Sequence, residues 1–146
     1  MIEDRAVLGL VIIAGLLLFW FLLGLTSSRL SGWHQLTQVY RESASFHGEQ
    51  WRFQRMVMRY GFGSKGLLTV GVNNFGIHLS IQFPFRLHYS PLFIPWSEVS
   101  AVHLSKRFSA PMVRLKFARF PEIPFDIFTT LAIQMRDAAS GNFEIE

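Results

Sequence analysis

Five histidines, at positions 34, 47, 78, 88 and 103, are the side chains in this 146-residue chain best suited to metal ligation or proton transfer. No two of them stand at the i, i+4 helical spacing or the tight-loop spacing of a metal site. The chain has no cysteine, which removes thiolate zinc sites, thiol catalysis and disulfides. His78 and His103 could approach each other across strands, but such a pair lacks a third ligand, so neither a metal nor a cofactor is expected. Acid–base catalysis needs paired titratable groups, yet Glu98 is the single carboxylate from residue 50 to 119, and Ser97 beside it has no GxSxG-like setting. Glu98 is expected to serve a strand end. Gly61-Phe62-Gly63-Ser64-Lys65-Gly66 has glycines and a lysine without Walker spacing, and it joins two strands instead of opening a helix. Phosphate contact there would rest on backbone amides and Lys65. A non-catalytic protein is therefore expected, the alternative being a small membrane-bound enzyme or metal-handling protein that uses His78, His88 and His103.

Charge gives a second kind of candidate. The formal net charge is +4, but residues 50 to 119 carry ten basic side chains against Glu98 alone. Within that window Arg52, Arg55, Arg59, Lys65, Arg86, Lys106 and Arg107 are candidates for contact with anionic lipid headgroups or with an acidic partner surface, because each basic residue near an anionic bilayer gains about 1 kcal/mol. Arg114 and Lys116 alternate with apolar positions, as outward residues of a strand do. Nucleic acid is not expected: a stacking platform needs aromatic rings on a polar face, and Trp51, Phe53, Phe117 and Phe128 all fall on apolar faces of their segments.

The elements that position these residues begin with Ala6 to Leu25, a run of 20 residues free of charge. At about 1.5 Å per residue such a helix covers roughly 30 Å, the hydrocarbon thickness of a bilayer. Trp20 lies near one end, where an amphipathic ring is favoured. A cleaved signal peptide is disfavoured by the length of the run, by the acidic start Glu3-Asp4, and by the lack of a small-x-small site at Leu25-Thr26-Ser27-Ser28. Gly9, Gly15 and Gly24 are not four apart and form no GxxxG face. Arg29 and Arg41 after the span outnumber Arg5 before it, which orients the remainder towards the cytoplasm.

After a short Thr26–Arg29 link, Ser31 is expected to cap a short amphipathic helix carrying Trp33, Leu36, Val39 and Tyr40. Trp33, like Trp20 and Phe85, is a candidate interfacial anchor. From Gln50 the period becomes two and stays so to about residue 120. Leu67 to Val72 and Ile77 to Ile81 flank Asn73-Asn74-Phe75-Gly76, a hairpin pattern, because Asn and Gly tolerate positive φ. Strands follow over Leu92 to Trp96, Val99 to Phe108 and Met112 to Phe117. Phe125, Phe128, Leu131, Ala132 and Met135 then fall on one helical face between Pro124 and the stop Ser140-Gly141. The Phe83 to Tyr89 stretch has no clear period; it either dips into the membrane interface or packs as a lid or against a partner's helices.

Three units are expected: 1–28 as membrane anchor, 29–49 as juxtamembrane helix and linker, and 50–146 as a barrel of six or so antiparallel strands closed by a C-terminal helix. Residues 68–79, with the turn Asn73 to Gly76, followed by Pro91-Leu92-Phe93-Ile94-Pro95-Trp96-Ser97-Glu98-Val99, resemble bacterial PH-like and GRAM-like domains. The opening Gly32-Trp33 with Leu36 and Tyr40 after a single span resembles a group of small bacterial membrane proteins. The resemblance spans roughly residues 31 to 135. It implies one transmembrane helix plus a mainly-β (α+β) PH-like barrel and a binding or scaffolding role, and it supplies no catalytic residue. The expected setting is a single-pass protein of the bacterial inner membrane, with anionic lipid or the subunits of a larger membrane complex as partners.

Overall fold

The computed structural model describes residues 2–82, 85–107 and 110–146, with side chains at all of these except positions 63–65, 85–86 and 105–107. Helix α1 (Ile2–Ser31) is long and apolar enough to cross a membrane. Only Ser28 and Ser31 of it are buried, so its apolar surface runs around the whole circumference up to the point where the chain meets the sheet.

The expected Thr26–Arg29 link is not a tether: these residues are helical, and the chain turns only at Gly32. That residue has φ 102°, a left-handed conformation, and a Cβ there would lie 2.7 Å from the Ile123 side chain. Helix α2 (Trp33–Tyr40) follows, with Ser31 Oγ accepting from the Trp33 N–H at 3.4 Å. Trp33, Leu36 and Tyr40 turn the apolar face of α2 into the core, while Val39 is exposed.

Seven strands among the described residues form one antiparallel sheet: β1 (Glu49–Val57), β2 (Gly63–Val72), β3 (Gly76–Ile81), β4 (Leu92–Pro95), β5 (Val99–Arg107), β6 (Ala110–Phe117) and β7 (Phe125–Phe128), in the order β4-β3-β2-β1-β7-β6-β5. The first strand carries the curl. It pairs with β2 along its length but with β7 only at Met56 and Val57, and its register shifts twice, after Trp51 and after Gln54. Such bulges bend a strand and tighten its twist, turning the sheet into a half-barrel. They also overturn one expectation: Phe53, at φ 59°, is 69% exposed and does not join the core, because the bulge breaks the alternation.

Period two holds cleanly in β2 and β3, where Leu68, Val70, Val72, Ile77, Leu79 and Ile81 are buried inside. Their hairpin is closed as its residues suggest: Asn73 Oδ1 accepts from the N–H groups of Phe75 (2.8 Å) and Gly76 (3.1 Å). Gly76 has no substitute there, since a Cβ would collide with the Ile94 carbonyl oxygen.

The C-terminal helix is shorter than expected. Phe125 and Phe128 belong to β7, and α3 (Thr129–Ala138) begins after them. Their i, i+3 spacing imitates a helix, but Phe125 and Ile127 bury side by side at strand period while Asp126 faces Arg114 across the ladder. Leu131, Ala132 and Met135 of α3 then close the core with Phe143. The sheet edges are partly covered by the chain itself: Glu42 N donates to Pro91 O (3.0 Å) beside β4, and Glu146 exchanges backbone bonds with Ala101 and His103 of β5.

Candidate functional site

The feature that organises the surface is the joint between α1 and the half-barrel. A helix leaves its last carbonyls without intrahelical partners and carries partial negative charge there. Arg59, in the turn between β1 and β2, answers both: its Nε donates to Leu30 O at 2.9 Å and its Nη2 to Arg29 O at 3.4 Å, with Gln35 Oε1 at 3.3 Å. From the β3–β4 connection, which contains a 3₁₀ turn at Phe85–His88, a second clamp reaches the helix. Ser28 Oγ donates to the His88 carbonyl at 2.6 Å. Ser27 Oγ donates to Gly24 O at 3.1 Å, which leaves it to accept from the Tyr89 hydroxyl at 2.7 Å. The His88 ring meets Phe21 edge-on at 4.6 Å and lies so close to Gly24 that a Cβ there would sit 2.9 Å from its Cδ2. The β6–β7 connection reaches the same joint through Ile123 against Gly32.

The sequence candidates divide around this joint. Arg52 is exposed on β1, and Arg55 is half-buried with its guanidinium 6.0 Å from the Phe128 ring. Arg59 is engaged by the helix end as described. Lys65 lies in β2, Phe85 and Arg86 in the 3₁₀ turn beside α1, and Lys106 and Arg107 near the end of β5; their side chains lie outside the described ones, and Phe83 and Pro84 outside the described residues. Trp20 stays exposed on α1, as an interfacial ring requires. Trp33 is not an interfacial anchor: it is 0% exposed, its Nε1 donates to Ser90 O at 2.9 Å, and Tyr89 and Phe125 pack on its ring. An indole with its N–H satisfied inside the core has nothing left for a bilayer.

The histidines are not brought together. His78 Nδ1 lies 2.9 Å from Glu42 Oε1 with Phe46 stacked on its ring, His88 is at the joint, and His103 stands opposite Val113 at the other end of the sheet order. Among the described residues no three His, Cys, Asp or Glu side chains are grouped for a metal ion. Glu98 sits in a 3₁₀ turn just before β5, where its Oε1 accepts from the Tyr40 hydroxyl (3.1 Å) and from Arg119 Nε (3.0 Å). Burial pushes the Tyr40 phenol above the ordinary tyrosine range; the Arg119 N–H opposes this and Glu98 adds to it.

Three features escaped sequence reasoning. Arg114 is not a free outward cation, because it makes a two-pronged bond to Asp126 at 2.8 and 3.1 Å, with the carboxylate fully buried. That bond to Asp126 raises the Arg114 pKa despite partial burial, and the pair follows from direct cross-strand register. The second is Tyr60, 77% exposed at φ 60° in the turn clamped to the helix; the third is that the Phe83 to Tyr89 stretch divides, Leu87 being exposed while His88 and Tyr89 pack on α1. Phe53, on the strand β1 that leads into the Tyr60 turn, is exposed as well. An aromatic directly before the glycine-rich run Gly61 to Gly66 was the available signal for Tyr60. No family model matches the chain, and no curated protein sequence matches it.

Proposed function

We propose that this chain is a non-catalytic, single-span membrane protein whose PH-like half-barrel is held against the cytoplasmic membrane surface and binds anionic headgroups there. The observation that carries the reading is the clamped joint. With Arg59, Ser27, Ser28 and Tyr89 bonded across it, the domain cannot wander on a tether, so the elements around the helix end stay at headgroup level. The turns at the joint expose Tyr60 and Leu87, the helix end exposes Arg29, and β1, which leads to the joint, exposes Phe53 and Arg52, the kinds of apolar and basic side chains that an anionic interface favours. The strand order with a helix after the last strand is the one a PH-like fold would have. A second reading, an accessory subunit of a larger membrane complex, is favoured by Phe75, which is 77% exposed at the β2–β3 tip, at the other end of β2 from the joint.

The natural absence of cysteine makes the test direct. The full chain carrying Tyr60→Cys or Phe75→Cys is spin-labelled and placed in nanodiscs of phosphatidylglycerol or phosphatidylcholine, and oxygen and nickel-chelate accessibility are compared. The label at 60 is expected to move into the interface in phosphatidylglycerol while the label at 75 stays in water. Both labels remaining aqueous in both lipids would refute the surface reading. A label at 75 that becomes shielded only in native membranes would favour the accessory-subunit reading.

A further inference from the structure

Between α1 and the half-barrel lies a cavity of about 380 Å³. One wall is the end of the apolar helix, Trp20, Leu23 and Gly24; the other is the sheet and its turn, Met56, Phe62, Leu67 and Ile81. Its volume falls within the roughly 300–1,000 Å³ of small-molecule sites. Its polar lining consists of Ser27 and the Tyr89 hydroxyl, which bond each other, with Ser31 and His88. His88 Nε2 is buried with no hydrogen-bond partner among the described residues. A buried nitrogen left in this state is uncommon and calls for a partner from outside the chain.

We infer that this cavity holds one acyl chain of an anionic phospholipid, with the polar part of the lipid beside Ser27, Tyr89 and His88. The occupant follows from position. Trp20, Leu23 and Gly24 belong to the last turns of the helix's uncharged apolar run, which ends at Leu25, so the cavity stands near the depth where acyl chains meet headgroups and borders the bilayer's own hydrocarbon. Ser27, bonded to the Tyr89 hydroxyl, stands one turn nearer the C-terminal end of α1 than Leu23 and Gly24, towards the headgroups, while the His88 ring packs on Phe21 within the apolar run. The charge of the lipid follows from the basic excess of residues 50 to 119 and from Arg29 and Arg59 at the same joint. Gly24 fits this arrangement, since a side chain there would push the His88 ring out of the wall. The inference rests on the membrane-surface reading and adds a second, internal lipid contact to it.

Native mass spectrometry of the full chain in detergent, after incubation with dioleoyl phosphatidylglycerol, tests it. The wild type is expected to retain one phospholipid per chain. Leu67→Trp, which fills the cavity from the sheet side, and Leu23→Trp, which fills it from the exposed helix without touching the barrel fold, are each expected to lower the retained fraction at least tenfold. Gln134→Trp, which adds the same bulk on the exposed face of α3, should leave retention unchanged. No retained phospholipid in the wild type, or retention in both tryptophan variants equal to that of the wild type, would overturn the inference. The two readings fail separately: retention without headgroup-dependent burial of a label at position 60 removes the surface reading alone, and label burial without retention removes the cavity inference alone.

Discussion

Replacing Arg59 by methionine should loosen the joint between α1 and the half-barrel while leaving the sheet folded. The side chain donates to two terminal carbonyls of α1 and to Gln35, at 2.9, 3.4 and 3.3 Å. Hydrogen bonds from a charged donor contribute about 1.5–3 kcal/mol in protected settings, but solvent-exposed charged contacts contribute only about 0–1 kcal/mol. A cation at a helix C-terminus adds about 0.3–1 kcal/mol. Because these bonds are exposed, the expected loss is about 1–2 kcal/mol, which lowers the docked-to-undocked ratio by a factor of about 5–30. Methionine keeps most of the aliphatic stem, so lost packing contributes little. The assay is a pair of nitroxides at Leu17→Cys and Phe75→Cys, both exposed, with their distance distribution measured by double electron–electron resonance in nanodiscs. The wild type should give one narrow distribution, and Arg59→Met should broaden it or add a second population. Arg52→Met, exposed on the preceding strand β1 and, among the described residues, without a contact to α1 in the joint, is the control and should leave the distribution narrow. An unchanged distribution in Arg59→Met would refute the reasoning and leave the joint to Ser27, Ser28 and Tyr89.

Arg114→Met removes the two-pronged partner of the fully buried Asp126 carboxylate and should cost about 3–5 kcal/mol in chemical denaturation. Lys116→Met, two residues along on the exposed side of the same strand, should cost less than about 0.5 kcal/mol. Trp33→Ala should destabilise the barrel by about 3–5 kcal/mol in the same assay, as loss of a fully buried indole does, and Trp20→Ala should leave its unfolding midpoint unchanged. Because the folded Tyr40 phenol titrates above its unfolded value, its contribution is present below the unfolded tyrosine pKa and is lost as pH rises through the folded one. Melting temperature should therefore fall on the alkaline side above about pH 10, and Tyr40→Phe, less stable at neutral pH, should show a weaker alkaline fall.

Local sequence determined those parts whose information lies within a few residues. Ala6 to Leu25 is a helix because nothing in it can satisfy water, and Asn73 to Gly76 closes a hairpin because one asparagine oxygen caps two amides and a glycine passes under the Ile94 carbonyl. The order of strands and the closing helix were legible in the same way, from runs of period two ending in a run of period 3.6. Where two periods coincide, the sequence misleads: Phe125 and Phe128 satisfy helical spacing, and only the partners Leu115 and Met112 across the ladder make them a strand. Charge is legible as a total but not as availability, since whether Arg59 meets a helix end, or Arg114 a buried carboxylate, depends on residues 29 or 12 positions away in the chain. The same holds for Trp33, whose amphipathic ring suits a bilayer surface equally well until Ser90 takes its N–H and the core takes its face. Tertiary structure decided what lies against what: it turned a presumed tether into a clamped joint, and it opened beside that joint a cavity whose walls are drawn from positions 20 to 89. No local pattern encodes such a cavity, because it is space left between elements whose approach is set by bonds made elsewhere.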